Sequence, residues 1–202
     1  MRKPNRRIAI AALSALAFVG GSAFAAPLEG DMTMGDPKAK VQMIEYASLS
    51  CSHCAHFNNE VFGPFKKKYI DTGKVHYTFR EILTPPQELA AAGFLTARCA
   101  GKDKYFTVVD TMFRGYDEMA RTGDARANLV KAGQAGGLTE EQMRACVNDN
   151  AALDQLTARV ARNAAAHNVT GTPTFVFNGK VAKAGPMTAA ELDAAVAEAA
   201  KR

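Results

Sequence analysis

Two cysteines separated by two residues lie where the sequence changes from a strand pattern to a helical pattern, and this junction constrains the fold more than any other feature. Residues 41–47 before it are mostly apolar and predict a strand buried on both faces. From Cys51 to about Asp71, large apolar residues recur at every fourth position, which is typical of a helix. Since two thiols at this spacing can form and open a disulfide reversibly, we expect the rest of the chain to hold Cys51 and Cys54 at this junction.

Residues 1–25 have the composition of a signal peptide. A basic start is followed by an apolar run, residues 8–19, that is too short to span a bilayer, and an Ala-x-Ala pattern predicts cleavage after Ala25. A retained membrane anchor is the alternative. Residues 26–40 are rich in Gly, Pro, Asp and Met without periodicity, and they predict a short N-terminal arm that is too small for a domain.

Export would remove most of the excess positive charge. The full sequence has 25 Lys and Arg residues against 20 Asp and Glu residues, a formal net charge of +5. Four of the basic residues and none of the acidic residues lie in 1–25, so the exported part carries 21 basic and 20 acidic residues. This balance argues against a nucleic-acid partner. All four cysteines lie in the exported part, where an oxidising compartment favours disulfides.

The elements around the cysteine pair predict an α/β fold. The strand at 41–47, the helix after it and a β-branched, aromatic strand at 75–82 are joined by short links, which implies a parallel right-handed crossover. Gly63-Pro64 should kink the helix. Residues 86–167 contain no convincing strand and predict a helical insertion. We expect its helices at about 86–100, 103–115, 124–135, 139–148 and 150–167. The fourth of these helices begins with a capping box.

The strand pattern resumes after the insertion. Residues 174–177 and 180–184 are joined by Asn178-Gly179, the strongest short signal for a hairpin. A last helix begins at Thr188, again with a capping box, and runs to the end of the chain. The order of elements is therefore βαβ, a helical block, and ββα.

A second motif lies far downstream of the cysteine pair, where Thr172-Pro173 places a proline immediately before a strand. Together with the cysteine motif, whose third residue is a histidine, and with the βαβ and ββα halves, it makes the sequence resemble thioredoxin-fold proteins. The helical block between the halves is similar to that of the DsbA-type periplasmic thiol:disulfide oxidoreductases. The resemblance covers about residues 40–201.

The resemblance implies an architecture, a location and partners. The fold would be an α/β thioredoxin fold in a single domain, residues 41–202, with an all-helical subdomain inserted at about 86–167. The protein would be periplasmic and would act on unfolded or reduced exported proteins, and a membrane reoxidase of the DsbB type would restore its disulfide. Residues 26–40 are too few for the dimerisation module of related isomerases, so we expect a monomer.

The position of Cys51 at the start of a helix favours redox chemistry. Free backbone N–H groups and the helix dipole stabilise a thiolate there, and His53 can add a hydrogen bond or a positive charge. The pKa of Cys51 should lie well below the free value of about 8.5, which makes the disulfide an oxidant and Cys51 a good leaving group. Ser52 completes the motif. We expect a substrate thiolate to attack Cys51 and the buried Cys54 to act as the resolving thiol, with no cofactor besides this disulfide.

Other uses of the cysteine pair fit the sequence less well. A static bridge or half of a zinc site is one alternative, but a four-cysteine zinc site needs a second close pair, and Cys99 and Cys146 lie far apart. A c-type haem site needs a histidine where the chain has Ala55. We therefore expect no metal site. Two alternative functions stay open, a disulfide isomerase or reductase and a protein that handles copper(I) with the motif.

Three further residues are candidates for a role: two cysteines in the helical insertion and one acidic residue on the first strand. Cys99 and Cys146 each fall on an apolar helical face, which favours a structural disulfide, with free buried thiols as the alternative. Glu45 is the charged residue of the first strand. The resemblance implies an acid that tunes cysteine ionisation and relays the proton of the resolving thiol, and burial should raise its pKa. A solvated strand edge is the alternative for Glu45.

The Thr172-Pro173 dipeptide is expected beside Cys51. The resemblance implies a cis bond before Pro173, with a trans proline at a strand entrance as the alternative. The backbone of Thr172 would then be free to pair with a substrate strand. Threonine here is more typical of isomerases and reductases of this family than of its oxidases. His76 and His167 are expected at the surface of a strand and of a helix end.

Overall fold

A five-stranded sheet forms the centre of the protein. The computed structural model describes residues 28–201, so the expected signal peptide, residues 1–25, lies outside the described residues. Within 28–201 no helix is both long and apolar enough to cross a membrane. The strands are β1 (Met32–Met34), β2 (Val41–Ala47), β3 (Val75–Glu81), β4 (Thr174–Phe177) and β5 (Lys180–Ala184). Their order across the sheet is β1-β3-β2-β4-β5.

The register of the sheet brings the two halves of the fold together. Strand β2 is parallel to β3, with Val41 opposite Val75, as the predicted crossover requires. On its other side β2 is antiparallel to β4, with Tyr46 opposite Thr174. Strand β5 returns antiparallel to β4 through the predicted hairpin. The predicted βαβ and ββα halves are therefore confirmed, and β2 lies at the centre of the sheet.

Strand β1 was not predicted and belongs to the N-terminal arm. It pairs antiparallel with β3, with Met32 opposite Phe79. Immediately before it, Asp31 accepts from the guanidinium of Arg80 on β3, at 2.9 Å, and both side chains are almost fully buried. A strand of three residues is too short to produce an alternating pattern, so pairing and this ion pair decide its structure. The arm is therefore an integral edge of the sheet.

The helix after β2, here called α1 and covering residues 52–70, begins at the cysteine motif. It continues through Gly63-Pro64 without a break, and Gly63 has helical dihedral angles (φ −57°, ψ −55°). The hydrogen bonding alternates between α and π patterns on both sides of the proline, which cannot donate a backbone hydrogen bond. The four segments of α1 are Ser52–His56, Phe57–Phe62, Gly63–Phe65 and Lys66–Ile70.

The insertion is helical, as predicted, but it contains one more helix than expected. The additional helix has seven residues, follows Gly115 directly and ends at Gly123, which adopts the left-handed conformation (φ 74°). Its length and its charged residues gave no apolar periodicity to detect. The helices are α2 (Gln87–Cys99), α3 (Lys102–Arg114), α4 (Tyr116–Thr122), α5 (Ala125–Ala135), α6 (Glu140–Val147) and α7 (Asn150–Ala166), followed after β5 by α8 (Ala189–Ala200).

The main core lies between one face of the sheet and the helices. Met43, Glu45 and Ala47 alternate along β2 toward this core, whereas Ile44 and Tyr46 belong to a smaller apolar cluster on the opposite face. Helix α1 packs on the main core through residues such as Cys54, Phe57 and Phe65. The alternation along β2 therefore directs the carboxyl group of Glu45 toward the helix that carries the cysteines. Both predicted capping boxes, at the starts of α6 and α8, are confirmed.

Candidate active site

Cys51 is the N-cap residue of α1. Its backbone is extended (φ −94°, ψ 117°), and the helix begins at Ser52. The N–H of Cys51 donates to the carbonyl oxygen of Ser48 at 3.1 Å, which connects the end of β2 to the helix. The N–H groups of His53 and Cys54 have no partner in the first turn and are directed at the Cys51 sulfur. Cys51 is partly exposed, whereas Cys54, three residues along, is buried.

The pKa of Cys51 is lowered to about 5. The largest cause is a hydrogen bond from the Cys54 thiol; burial opposes it, and hydrogen bonds from the Thr172 hydroxyl and the two backbone N–H groups add to it. The contribution of His53 is made by its N–H, since its side chain is exposed. The predicted stabilisation by the helix N-terminus is therefore present in this geometry.

The pKa of Cys54 changes in the opposite direction. Burial raises it well above the ordinary value, and the neighbouring Cys51 thiol, which accepts the hydrogen bond of Cys54, adds to the rise. The backbone of Ser48 donates a hydrogen bond that opposes this rise without cancelling it. Two thiols of one helical turn are thus set to different protonation states at neutral pH, Cys51 as a thiolate and Cys54 as a thiol.

Glu45 lies buried beneath the cysteine pair. Only 3% of its surface is exposed, and the Tyr77 hydroxyl donates to its Oε2 atom at 2.8 Å. Burial raises the pKa of Glu45 to about 8; the Tyr77 hydrogen bond opposes the rise and the Cys51 charge adds to it. The carboxyl group is therefore largely protonated at neutral pH. A cavity of about 400 Å³ between α1 and α3 reaches Glu45 past Asn58 and Phe106.

The loop before β4 completes the site. The Thr172-Pro173 peptide bond is cis. The Sγ atom of Cys51 lies 3.4 Å from the carbonyl oxygen of Thr172, to which its thiol donates when it is protonated, across 121 positions of the sequence. The Thr174 hydroxyl donates to the carbonyl oxygen of Gly171 and holds the loop at the start of β4. Because β4 pairs with β2, the strand register itself carries this loop to Cys51.

Hydroxyl groups that sequence reasoning missed support the motif from below. The hydroxyl of Ser50 donates to the carbonyl oxygen of Thr84 at 2.6 Å and lies 3.1 Å from the hydroxyl of Ser48. The N–H of Thr84 donates to the Ser48 hydroxyl, so the ends of β2 and β3 are joined. Ser48 and Ser50, two polar residues directly after a buried strand, were the sequence signal that could have indicated this hydrogen bonding. Tyr116 of α4 also reaches the motif, and no pattern in the sequence indicated it.

The other two cysteines form a disulfide within the insertion. Cys99 ends α2 and Cys146 lies in the last turn of α6, with their Cα atoms 6.2 Å apart. Cys99 is exposed and Cys146 is partly buried, so neither is the buried thiol weighed as the alternative. The bridge joins two helices of the insertion and contributes no atom to the motif.

The remaining histidines differ in their surroundings. His76 is buried, contrary to the expectation of a surface position, and its Nδ1 atom lies 2.8 Å from the Oε1 atom of Gln42. His167 is partly buried at the end of α7, with Nδ1 2.6 Å from the Tyr46 hydroxyl. Strand β3 is covered on both faces, which leaves no surface position for His76. Within residues 28–201 no group of three His, Cys, Asp or Glu side chains is placed to hold a metal ion.

A cysteine pair at a helix N-terminus, a cis-proline loop against it, and a sheet built from βαβ and ββα halves define the class: this is a thioredoxin-fold protein with a helical insertion. Comparison with known families agrees, since the family model described as Thioredoxin matches residues 28–198. The chain belongs to this thioredoxin family.

The relatives are proteins of disulfide metabolism. A Rickettsia typhi protein provisionally named a protein-disulfide oxidoreductase is 35% identical over 150 residues, which are 74% of this chain and 55% of the relative. A crystal structure of a single-residue variant of α-DsbA1 from Wolbachia pipientis matches with a TM-score of 0.76 at 26% identity, and covers 89% of this chain and 96% of that one. The chain spans about half the length of the Rickettsia relatives. The resemblance to DsbA-type proteins drawn from the sequence is confirmed.

Proposed function

We propose that the protein is a DsbA-type thiol:disulfide oxidase, which donates its Cys51–Cys54 disulfide to exported proteins. The observation that carries this proposal is the opposite ionisation of the two thiols, with the pKa of Cys51 lowered to about 5 and that of Cys54 raised. A stabilised thiolate favours the reduced form of the protein, so the oxidised form gives its disulfide away readily. The names of the relatives, which refer to protein-disulfide oxidoreductases and to DsbA, support thiol:disulfide exchange at this pair.

The reaction transfers two electrons from substrate to protein. A substrate thiolate attacks the Cys51 sulfur, the Cys51–Cys54 bond breaks, and Cys54 leaves as a thiolate that takes up a proton. A second substrate thiolate then attacks the substrate sulfur of the mixed disulfide. Cys51 leaves as a thiolate, and the substrate acquires the disulfide. The low pKa of Cys51 lowers the barrier of this second step, because a more stable thiolate leaves faster.

Glu45 and the Thr172 loop act on either side of this exchange. A carboxyl group with a pKa of about 8 can supply the proton that Cys54 takes up and recover it when the disulfide is restored. The backbone of Thr172 lies beside the Cys51 sulfur and would pair with the extended segment of the substrate that carries the attacking thiolate. The disulfide is the redox group of this proposal, with no further cofactor.

The proposed setting is the periplasm. The sequence of residues 1–25 supports export, and a membrane protein of the DsbB type would reoxidise the pair. The protein would act as a monomer on unfolded or reduced exported proteins, without a nucleic-acid partner. Replacing Cys54 by alanine should trap both substrates and reoxidase as mixed disulfides on Cys51. Mass spectrometry of the trapped complexes would identify them, and a Cys51→Ala, Cys54→Ala variant is the control that should trap none.

The direct test is the equilibrium of the Cys51–Cys54 pair with glutathione, together with the rate at which the oxidised protein oxidises a reduced peptide. We expect the reduced protein to predominate at glutathione ratios that keep an ordinary structural disulfide closed, and peptide oxidation to be lost in Cys51→Ala. Replacing both Cys99 and Cys146 by alanine should leave peptide oxidation in place. A pair that stays oxidised under these conditions would contradict the proposal.

An isomerase or reductase is the second candidate, and one observation favours it. The residue before Pro173 is a threonine, which is more typical of isomerases and reductases of this family than of its oxidases, and its carbonyl oxygen lies 3.4 Å from the Cys51 sulfur. Refolding of scrambled ribonuclease would separate the two functions. Strong activity in that assay with little oxidation of reduced peptide would favour the isomerase, whereas an oxidase should show the reverse.

A further inference from the structure

The helical insertion reaches the redox motif through Tyr116, the first residue of α4. The residue before it, Gly115, lies against the Asn128 side chain of α5, so closely that a Cβ atom at 115 would be 1.9 Å from Asn128 Oδ1. The Asn128 side chain is buried, and its amide donates to the carbonyl oxygen of Met112 at 3.0 Å. The junction of α3 and α4 is therefore held against α5, and this packing determines where Tyr116 lies.

Tyr116 contacts both neighbours of Cys51. Its hydroxyl donates to the carbonyl oxygen of Ser50 at 3.3 Å. A hydrogen bond from the Ser52 hydroxyl to the same phenol oxygen lowers the pKa of Tyr116. Burial raises the pKa of Tyr116, and the nearby charge of Cys51 adds to this rise, so the phenol stays protonated as a donor. The ring is partly buried against the main core, which holds the hydroxyl in place.

We propose that Tyr116 is a positioning residue of the redox site, whose hydroxyl holds Ser50 and Ser52 so that Cys51 keeps its N-cap conformation. This inference deepens the proposed function and rests on it. The Cys51 sulfur meets the N–H groups of His53 and Cys54 only while its own backbone is extended at the helix start. The hydrogen bonds of Tyr116 to Ser50 and Ser52, one on each side of Cys51, fix that backbone, and Tyr116 belongs to the insertion.

The test compares two tyrosine-to-phenylalanine variants. Tyr116→Phe keeps the ring and removes the hydroxyl. Tyr69→Phe is the matched control, because the Tyr69 hydroxyl is also hydrogen-bonded, to Asp193 at 2.9 Å and to Lys68, and is remote from the motif in sequence. Loss of one hydrogen bond that favours the thiolate conformation should raise the pKa of Cys51 by about 0.5 to 1 unit, which is a three- to tenfold smaller thiolate fraction at low pH. Absorbance at 240 nm of the reduced protein measures this, and Tyr69→Phe should not change it.

A spectroscopic signature separates positioning from simple packing. The protein has five tyrosines and no tryptophan, so tyrosine signals are few. With tyrosine labelled at the ring Cζ atom, the NMR resonance of Tyr116 should shift with the inflection of Cys51, and the shift should vanish in Cys51→Ala. Tyr69 should not follow that inflection.

The inference would be overturned by an unchanged pKa of Cys51 in Tyr116→Phe, or by an equal rise in the control variant. A Tyr116 resonance that does not follow the ionisation of Cys51 would also do so. Failure of the proposed function is distinguishable, because it would appear as absent peptide oxidation by the wild-type protein. A raised pKa in Tyr116→Phe would establish the positioning role even then.

Discussion

At the scale of single residues, the site depends on the different environments of groups that lie close together. Cys51 has four hydrogen-bond donors around its sulfur and is partly exposed, whereas Cys54 is buried in the core. Glu45 is buried as well and accepts a hydrogen bond from Tyr77. Donors favour a charged form and burial disfavours it, so the same helix turn and strand contain a thiolate, a thiol and a neutral acid.

The environment of Glu45 predicts a pH-dependent cost in stability. Its pKa is about 8 in the folded protein and about 4.5 when unfolded. Below pH 4.5 the carboxyl group is neutral in both states and its ionisation does not affect the free energy of unfolding; between pH 4.5 and pH 8 this free energy falls as the pH rises. Glu45→Gln removes this titration and keeps an acceptor for Tyr77. The variant should match the wild type at pH 4 and exceed it above pH 8, by up to roughly 5 kcal/mol. Urea unfolding of the oxidised proteins at several pH values measures this.

The control for that experiment is Glu60→Gln, because Glu60 is an exposed acid on the same helix as the cysteines. Its stability should follow the wild type at every pH. If Glu45→Gln gives no gain at high pH, the carboxyl group is not buried as described. The same variant should also slow peptide oxidation, because it removes the proton donor proposed for Cys54.

At the scale of elements, the two cysteine pairs differ in which helix ends they occupy. Cys51 caps the N-terminus of α1, where the dipole favours a negative charge. Cys99 is the last residue of α2, and Cys146 lies in the last turn of α6, where the dipole disfavours it. Thiolates leaving from helix C-termini are therefore less stable. The second disulfide is protected by this placement although Cys99 is exposed.

Stepwise reduction should show this difference. Limiting dithiothreitol should open Cys51–Cys54 completely before Cys99–Cys146, since the mixed disulfide formed at Cys51 is resolved quickly when Cys51 leaves as a stable thiolate. Alkylation followed by mass spectrometry identifies the thiols released at each step. In concentrated urea the helices are lost, and the order of reduction should no longer depend on them. Early alkylation of Cys99 in the folded protein would show that helix ends do not control this reactivity.

The edge strand β1 depends on one ion pair. Arg80 and Asp31 are both buried, and removing the charge of Asp31 leaves a guanidinium without its partner in the core. Asp31→Asn should therefore cost about 3–5 kcal/mol of the free energy of unfolding. The exposed pair of Lys66 and Asp71 provides the control, because Asp71→Asn should cost about 0–1 kcal/mol. Equal losses in chemical denaturation would mean that the arm does not need the ion pair.

The elements that the sequence predicted are those with their own signal. The helices α2, α3, α5, α6 and α7 lie within two residues of their expected bounds, because each is long enough to show periodicity or begins with a cap. The sequence did not predict strand β1 or helix α4. Each is too short to show periodicity, and its secondary structure depends on the elements that pack against it. His76 is expected at the surface because its strand pattern does not show that both faces of β3 are covered.

At the scale of the whole molecule, the site joins distant parts of the chain. The cysteine motif, the acid on β2 and the proline loop could each be named from sequence and from the family resemblance. Their distances could not, because they depend on the β2–β4 register and on packing of the insertion. Tyr116 shows the limit clearly: its role follows from how Gly115 meets Asn128, a contact that no local pattern encodes.

The redox state should change the stability of the whole fold in a pH-dependent way. The Cys51 thiolate has a pKa of about 5 when folded and about 8.5 when unfolded, so it stabilises the reduced fold above pH 8.5. This stabilisation falls as the pH is lowered and is lost below 5. Reduced minus oxidised stability should therefore grow from pH 4 to pH 8, as measured by urea midpoints. Cys51→Ser lacks the low-pKa thiol, so its reduced form should lack most of this pH dependence.

The pairing of β2 with β4 has a consequence for the synthesis of the chain. Cys51 and Thr172 are 121 positions apart, and the chain between them must be made before they can meet. During translation the cysteines emerge while their loop partner is still being polymerised. Until β4 arrives, Cys51 lacks the Thr172 hydroxyl, and the strand beside β2 that covers Glu45 is missing. A chain that ends before residue 172 therefore carries a Cys51 sulfur without its full set of donors, and the site is complete only once almost the entire polypeptide has been made.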